Sequence, residues 1–232
     1  MNIILASTST IYGSGYLEYL KKEIIELYKE IDEIIFIPYA RPGGISHDEY
    51  TAKAQSFFET INIRAKGLHE FDNPIEAIKN AQGFFTGGGN TFVLVKQLHE
   101  NNLMQVLKEE VLKGKSYLGC SAGSNIGGIN MQTTNDMPIV YPSSFETMGL
   151  VPFNINPHFT DADAQSKHMG ETRETRIKEF LSFNNIPVVG LREGSWIRII
   201  DKRISLEGNL SAKIFKKDEE PYELRHNNEI LF

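Results

Sequence analysis

The chain is almost without cysteine. Cys120 stands alone among 232 residues, which excludes an intrachain disulfide framework and suits a reducing compartment. A basic excess is also missing. The 24 Lys and Arg face 30 Asp and Glu, a formal charge of −6, with no basic stripe of the kind a nucleic-acid surface needs. No apolar run is long enough to span a bilayer, and the strand-like opening Met1-Asn2-Ile3-Ile4-Leu5 carries no secretory pattern. No cluster has zinc spacing. No lysine stands in Walker spacing, and no Gly-x-Gly-x-x-Gly fingerprint with its acidic partner occurs. These absences predict a cytoplasmic protein with no metal and no cofactor that binds neither nucleic acid nor membrane. No internal repeat, low-complexity segment or linker interrupts 1–232, so one domain is expected.

What is present is 41% hydrophobic residues, enough for a sizeable core, in a recurring order of strand, loop and helix. Residues 2–6 read as a buried strand, and Ser7-Thr8-Ser9-Thr10 with Gly13 and Gly15 as the loop at its carboxyl end. Leu17, Leu20, Ile24, Leu27 and Ile31 recur at spacings of three and four, the stripe of an amphipathic helix. The run 33–38 is a second strand, Arg41-Pro42-Gly43-Gly44 a loop, and Asp48 the cap of a helix over 50–60. Strands follow at 61–68, 83–86 and 116–119, with helices over 74–78, from Thr91, over 103–112 and from Ser121. The stretch 127–159, with Pro138, Pro142, Pro152 and Pro157, is expected to be irregular and to wrap the rim of the sheet. A helix over 171–181 and strands at 187–191 and 196–200 come next, and 203–206 and 212–215 alternate like antiparallel hairpin strands. The order predicts an α/β fold, a mostly parallel doubly wound sheet with helices on both faces and a short C-terminal β-hairpin. Such sheets bind ligands at the carboxyl ends of their strands, so the loops after Ala6, Ile37, Thr86 and Gly119 are expected on one rim.

Two glycine-rich loops lie on that rim. Gly119-Cys120-Ser121-Ala122-Gly123 ends an apolar strand in Gly-x-Ser-x-Gly, the spacing of a nucleophile elbow. There a serine sits on a sharp strand-to-helix turn, and the next N–H groups point where an oxyanion forms. A Gly/Ser-rich turn without chemistry has the same spacing, so the elbow needs partners to count. Gly87-Gly88-Gly89-Asn90 reads as an oxyanion loop, with the N–H of Gly88 or Gly89 joining that of Ala122, or as a plain helix entry.

A nucleophilic serine needs a base, and the base needs an orienting acid. His47, His69, His99 and His226 sit among charged or turn residues and read as solvated surface; His168 precedes a helix start. His158 lies in Asn154-Ile155-Asn156-Pro157-His158-Phe159, where proline and apolar neighbours hold an imidazole rigidly, either as base or as a packed core histidine. The candidate acids are Glu193, just past a buried strand on the expected rim, and Asp136, in the polar loop 133–138. Position favours Glu193. Cys120 lies one place before the elbow's centre, so its side chain is expected to turn away from the site as a small buried residue.

The matching blocks 37–40, 48–53, 87–92, 119–123, 133–140, 155–159 and 170–174, in this order over nearly the whole chain, resemble the aspartyl dipeptidase (peptidase E) family, serine peptidases related to cyanophycinases. The resemblance implies a sheet similar to that of class I glutamine amidotransferases, in the flavodoxin-like class. It implies hydrolysis of Asp-Xaa dipeptides, Ser121 as nucleophile, His158 as general base, and Glu193 or Asp136 as third member. Arg173 matches an arginine that binds the substrate's aspartate side chain, which suits a guanidinium gripping a carboxylate. The alternatives for Arg173 are a solvated helix residue paired with Glu174 or Glu171, and for the activity a cyanophycinase-like hydrolase of aspartyl–arginine isopeptides. A small peptide is the expected partner, and a monomer or weak homo-oligomer the expected state.

Overall fold

The computed structural model describes residues 1–162, 165 and 170–232. Strands β1 (Asn2–Ala6), β2 (Glu33–Ile37), β3 (Arg64–Gly67), β4 (Gly83–Thr86) and β5 (Ser116–Cys120) alternate with helices α1 (Lys21–Leu27), α2 (His47–Glu59), α3 (Pro74–Asn80), α4 (Thr91–Glu100) and α5 (Leu103–Leu112). The short helix α6 (Ala122–Asn125) follows β5. Then come β6 (Asn154–Pro157), α7 (Arg173–Phe183), β7 (Val188–Leu191), β8 (Ser195–Ile200), β9 (Arg203–Gly208), β10 (Ala212–Phe215) and β11 (Tyr222–Leu224).

The main sheet runs β3-β2-β4-β5-β1-β8-β9. Its first five strands are parallel, and β8 and β9 extend it antiparallel. The parallel strands therefore end on one edge, where the loops after Ala6, Ile37, Thr86 and Cys120 gather. Alternation along each strand decides the layers. Ile3, Leu5, Ile35 and Ile37 face one apolar layer, covered by α3, α4 and α5 through residues such as Ile78, Leu94 and Leu107. Ile4, Ala6, Ile34 and Phe36 face the other, covered by α1 and α2 through Ile24, Tyr50 and Phe58. Because both faces are buried, these strands read as continuous apolar runs. Each large side chain withdrawn from water contributes about 1.5–3 kcal/mol. Among the described residues no helix is long and apolar enough to cross a membrane.

Several boundaries differ from the sequence expectation for local reasons. The stripe from Leu17 is broken because Leu17 has φ 59°, so a 3-10 turn at Glu18–Leu20 precedes α1. Ser46, not Asp48, caps α2: its hydroxyl accepts the Glu49 N–H and the Glu49 carboxylate accepts the Ser46 N–H, a capping box. The third strand is confined to Arg64–Gly67.

A second sheet, β11-β10-β7-β6, is the larger departure. The segments 203–206 and 212–215 do not pair with each other. β9 folds back on β8 in a register from Ile200↔Arg203 to Ser195↔Gly208, through a tight turn in which Asp201 has φ 54°. β10 instead pairs antiparallel with β7 and β11, and β6 pairs parallel with β7. The end of α6 and the irregular stretch after it are tied to β6 by polar side chains. Asn125 and Thr133 donate to the Ile155 carbonyl, Asn154 donates to Asn130, and Asn156 donates to the Thr133 carbonyl. Pro157 closes β6, the edge strand of this sheet, where a missing N–H costs no ladder bond.

Candidate active site

The elbow is built by steric necessity. A Cβ on Gly119 would stand 2.3 Å from the Gly123 carbonyl oxygen, and one on Gly123 would stand 2.2 Å from that of Thr86. Glycine at both positions lets β5 turn directly into α6 against β4. Ser121 takes φ 55° and ψ −112° between them, a sparsely populated conformation for a residue with a side chain. It is held there by its own N–H, which donates to the Ala6 carbonyl at 3.0 Å.

His158 follows Pro157 at the end of β6 and also lies at positive φ, 54°. Its Nε2 is 2.9 Å from Ser121 Oγ and its Nδ1 is 2.6 Å from Glu193 Oε1. An ionised carboxylate only accepts, so Nδ1 carries a proton and Nε2 is left to accept the Ser121 hydroxyl. Glu193 stands two residues beyond β7, the strand parallel to β6. The pairing of the two strands in the second sheet is what brings acid and base together. Both side chains remain open to solvent, His158 at 37% and Glu193 at 52% exposure.

Asp136 goes elsewhere. Its Oδ2 accepts from the Thr91 N–H at 2.7 Å, the Thr91 hydroxyl at 2.6 Å and the Thr134 hydroxyl at 3.0 Å. It thus binds the first turn of α4, and its charge also acts on Arg173. The glycine loop lies between α4 and the elbow. A Cβ on Gly88 would be 3.4 Å from Ser121 Oγ, and one on Gly89 (φ 146°) 2.2 Å from the Ala40 carbonyl. The Tyr50 hydroxyl donates to the Gly88 carbonyl at 3.1 Å and supports the loop from α2. Among the described residues the N–H groups of Gly88, Gly89 and Ala122 have no acceptor, so they are available beside Ser121.

Arg173 opens α7 and is half-buried. Its expected competitors are engaged: Glu174 pairs with Lys178 and Lys213, and Glu171 with Arg176. Among the described residues Arg173 forms no ion pair. Burial, and then the neighbouring Arg176, hold its pKa below the usual guanidinium value, with Asp136 opposing them. It also sits at the positive end of the α7 dipole.

Cys120 is fully buried in the layer shared with Ala6 and Leu118, and burial pushes its thiol pKa up. His69, expected at the surface, is mostly covered, with its Nε2 2.8 Å from Asp48. His168 lies outside the described residues. Sequence reasoning missed two residues at the site, Tyr50 and Ser7. Ser7 sits immediately after β1 on the shared rim, and that position was the one available signal for it.

Comparison with known proteins identifies the family. Residues 3–207 match the model of peptidase family S51. A probable alpha-aspartyl dipeptidase of Drosophila melanogaster is 43% identical over 220 residues, 94% of this chain and 90% of that protein. Peptidase E of Streptomyces coelicolor is 44% identical over 224 residues, 97% of this chain and 91% of that one. A crystal structure of a peptidase from an acI-B1 Actinobacterium has the same fold, with a TM-score of 0.75 at 19% identity over 100% of this chain and 96% of its own. The chain belongs to peptidase family S51 and is a serine-type peptidase.

Proposed function

We propose that 1–232 works as one peptidase domain, a cytoplasmic serine dipeptidase that hydrolyses dipeptides with an amino-terminal aspartate and acts as a monomer or weak homo-oligomer. The observation that carries this reading is the continuous contact series from Ser121 Oγ through the His158 ring to Glu193. His158 Nε2 takes the Ser121 proton as Oγ attacks the scissile carbonyl carbon. The Ala122 N–H, with that of Gly88 or Gly89, receives the charge that develops on the carbonyl oxygen. The imidazolium, steadied by Glu193, passes its proton to the leaving amine, and the C–N bond breaks to leave an aspartyl ester on Ser121. Water, deprotonated by His158, then cleaves the ester and frees aspartate.

Arg173 supports the choice of aspartate. A half-buried guanidinium that forms no ion pair among the described residues can donate two parallel hydrogen bonds to a carboxylate, which offsets its burial further than the charge of Asp136 does. An asparagine side chain brings no charge, and a glutamate places its charge one methylene further out. The test is hydrolysis of Asp-Leu, Asn-Leu and Glu-Leu by the purified protein. Cleavage of Asp-Leu well above the other two is expected. Equal cleavage of all three removes the Arg173 argument, and no cleavage by folded protein overturns the dipeptidase reading.

A further inference from the structure

The loop after the first strand lies on the expected rim, and its first residue ties nucleophile, base and acid together. Ser7 is fully buried. Its hydroxyl donates to the Leu191 carbonyl at 2.8 Å and accepts the His158 N–H at 2.8 Å. The next amide, that of Phe159, donates to the same Leu191 carbonyl at 3.1 Å. Two successive N–H groups flanking the His158 Cα are thus tied to the Leu191 carbonyl, that of His158 through the Ser7 hydroxyl and that of Phe159 directly. Ser7's own N–H donates to the Ser195 carbonyl at 3.1 Å, which pins the residue across the turn that carries Glu193. The preceding residue, Ala6, accepts the Ser121 N–H at 3.0 Å and the Ser124 hydroxyl at 2.6 Å. The last residue of β1 therefore holds the elbow, and the residue after it holds the base.

The arrangement has a physical need behind it. His158 has φ 54°, a conformation an L-residue does not hold without restraint. It follows the last residue of an edge strand, and its ring is 37% exposed, so packing does little to fix it. Among the described residues the Ser7 hydroxyl is the one side-chain group that bonds the His158 backbone, and, itself buried, it is both donor and acceptor there. We infer that Ser7 is a positioning residue of the peptidase site, whose buried hydroxyl locks the His158 backbone at positive φ and so sets the imidazole between Ser121 and Glu193. It touches no reacting atom and acts through His158. The inference rests on the dipeptidase reading above.

The test compares Ser7→Ala with Thr8→Val. Thr8 is the next residue on the same loop and nearly as buried, but among the described residues its hydroxyl bonds only locally, donating to the Thr10 carbonyl and accepting the Thr10 N–H. Three quantities are measured: kcat and KM for Asp-Leu, the rate at which Ser121 is modified by an alkyl fluorophosphonate, and the thermal midpoint. Misplacing a catalytic group by about 1 Å costs on the order of 100-fold, so Ser7→Ala is expected to lower kcat about 10- to 100-fold. KM should stay within about twofold, the phosphonylation rate should fall in parallel with kcat, and Thr8→Val should match wild type in both rates. Parallel losses in the two variants, or a Ser7→Ala loss carried by KM with unchanged phosphonylation, overturn the inference. If Ser7→Ala does not fold, Ser7→Cys keeps the shape with a weaker acceptor. An intermediate kcat for it supports the assignment, and wild-type kcat contradicts it. Wild-type protein that cleaves no Asp-Xaa dipeptide fails the underlying reading instead, which is a separate result.

Discussion

Replacing Glu193 by glutamine keeps the shape of the acid and removes its charge, and the structure sets the size of the effect. The glutamate reaches His158 Nδ1 at 2.6 Å, but the two side chains are 52% and 37% exposed. A charge pair about 4 Å apart is worth about 1 kcal/mol in water and about 4 kcal/mol near a protein surface. A half-open pair lies between, at about 1.5–3 kcal/mol, and each 1.36 kcal/mol is tenfold in rate. Glu193→Gln is therefore expected to lower kcat/KM for Asp-Leu about 10- to 100-fold, well short of the roughly 10⁴-fold seen when a buried triad aspartate is neutralised. The loss should appear in kcat, because the charge is needed once the imidazolium forms. Asp136→Asn is the control in the same assay. It weakens the hydrogen bonds at the start of α4, which costs about 1–2 kcal/mol, or about 2–8 °C in thermal midpoint for a chain of this size. Its kcat should change less than that of Glu193→Gln. A Glu193→Gln enzyme within twofold of wild type, beside an Asp136→Asn enzyme that has lost kcat, would refute the assignment of the acid.

Arg173→Gln is expected to lower kcat/KM for Asp-Leu about 10- to 100-fold, chiefly through KM, as fits a lost pair of charge-assisted hydrogen bonds. Hydrolysis of Asn-Leu should not fall with it, and an equal loss on both substrates would show that Arg173 only supports the fold. Iodoacetamide should leave the native enzyme active, because Cys120 is sealed in the core with its thiol pKa raised by burial. Rapid stoichiometric labelling with loss of activity would contradict that placement.

Much of the fold is legible because local and global demands coincide. Strands β1, β2, β4 and β5 are apolar on both faces, and β1, β4 and β5 run into serine or glycine-rich loops while β2 runs into Pro38, so period and punctuation agree. The elbow is legible for the same reason, since Gly119 and Gly123 are each required by a neighbour closer than 2.5 Å to any added Cβ. Strand β6 hides itself. Asn154-Ile155-Asn156-Pro157 has no apolar run, because two of its four side chains bond the long loop after α6 and its partner β7 lies some 30 residues further on. The fate of 212–215 is equally non-local: its alternation fits a hairpin, and only the β8–β9 register decides that 203–208 is already taken. Position just past a buried strand favours Glu193 over Asp136 in the sequence, and the pairing of β6 with β7 is what sets its carboxylate beside His158. Ser7 is marked in the sequence only by its place after β1, because its partners are 151 and 184 positions away.

The most direct measurement is the chemistry of Ser121 itself. Wild type, Ser121→Ala and His158→Ala are treated with an alkyl fluorophosphonate, the adduct is located by peptide mass spectrometry, and Asp-Leu hydrolysis is followed in the same samples. A single adduct on Ser121, formed with loss of activity, much slower in His158→Ala and absent from a folded but inactive Ser121→Ala, is the predicted result. Modification at another residue, or a Ser121→Ala enzyme that still cleaves Asp-Leu, would contradict the assignment of Ser121 as the nucleophile.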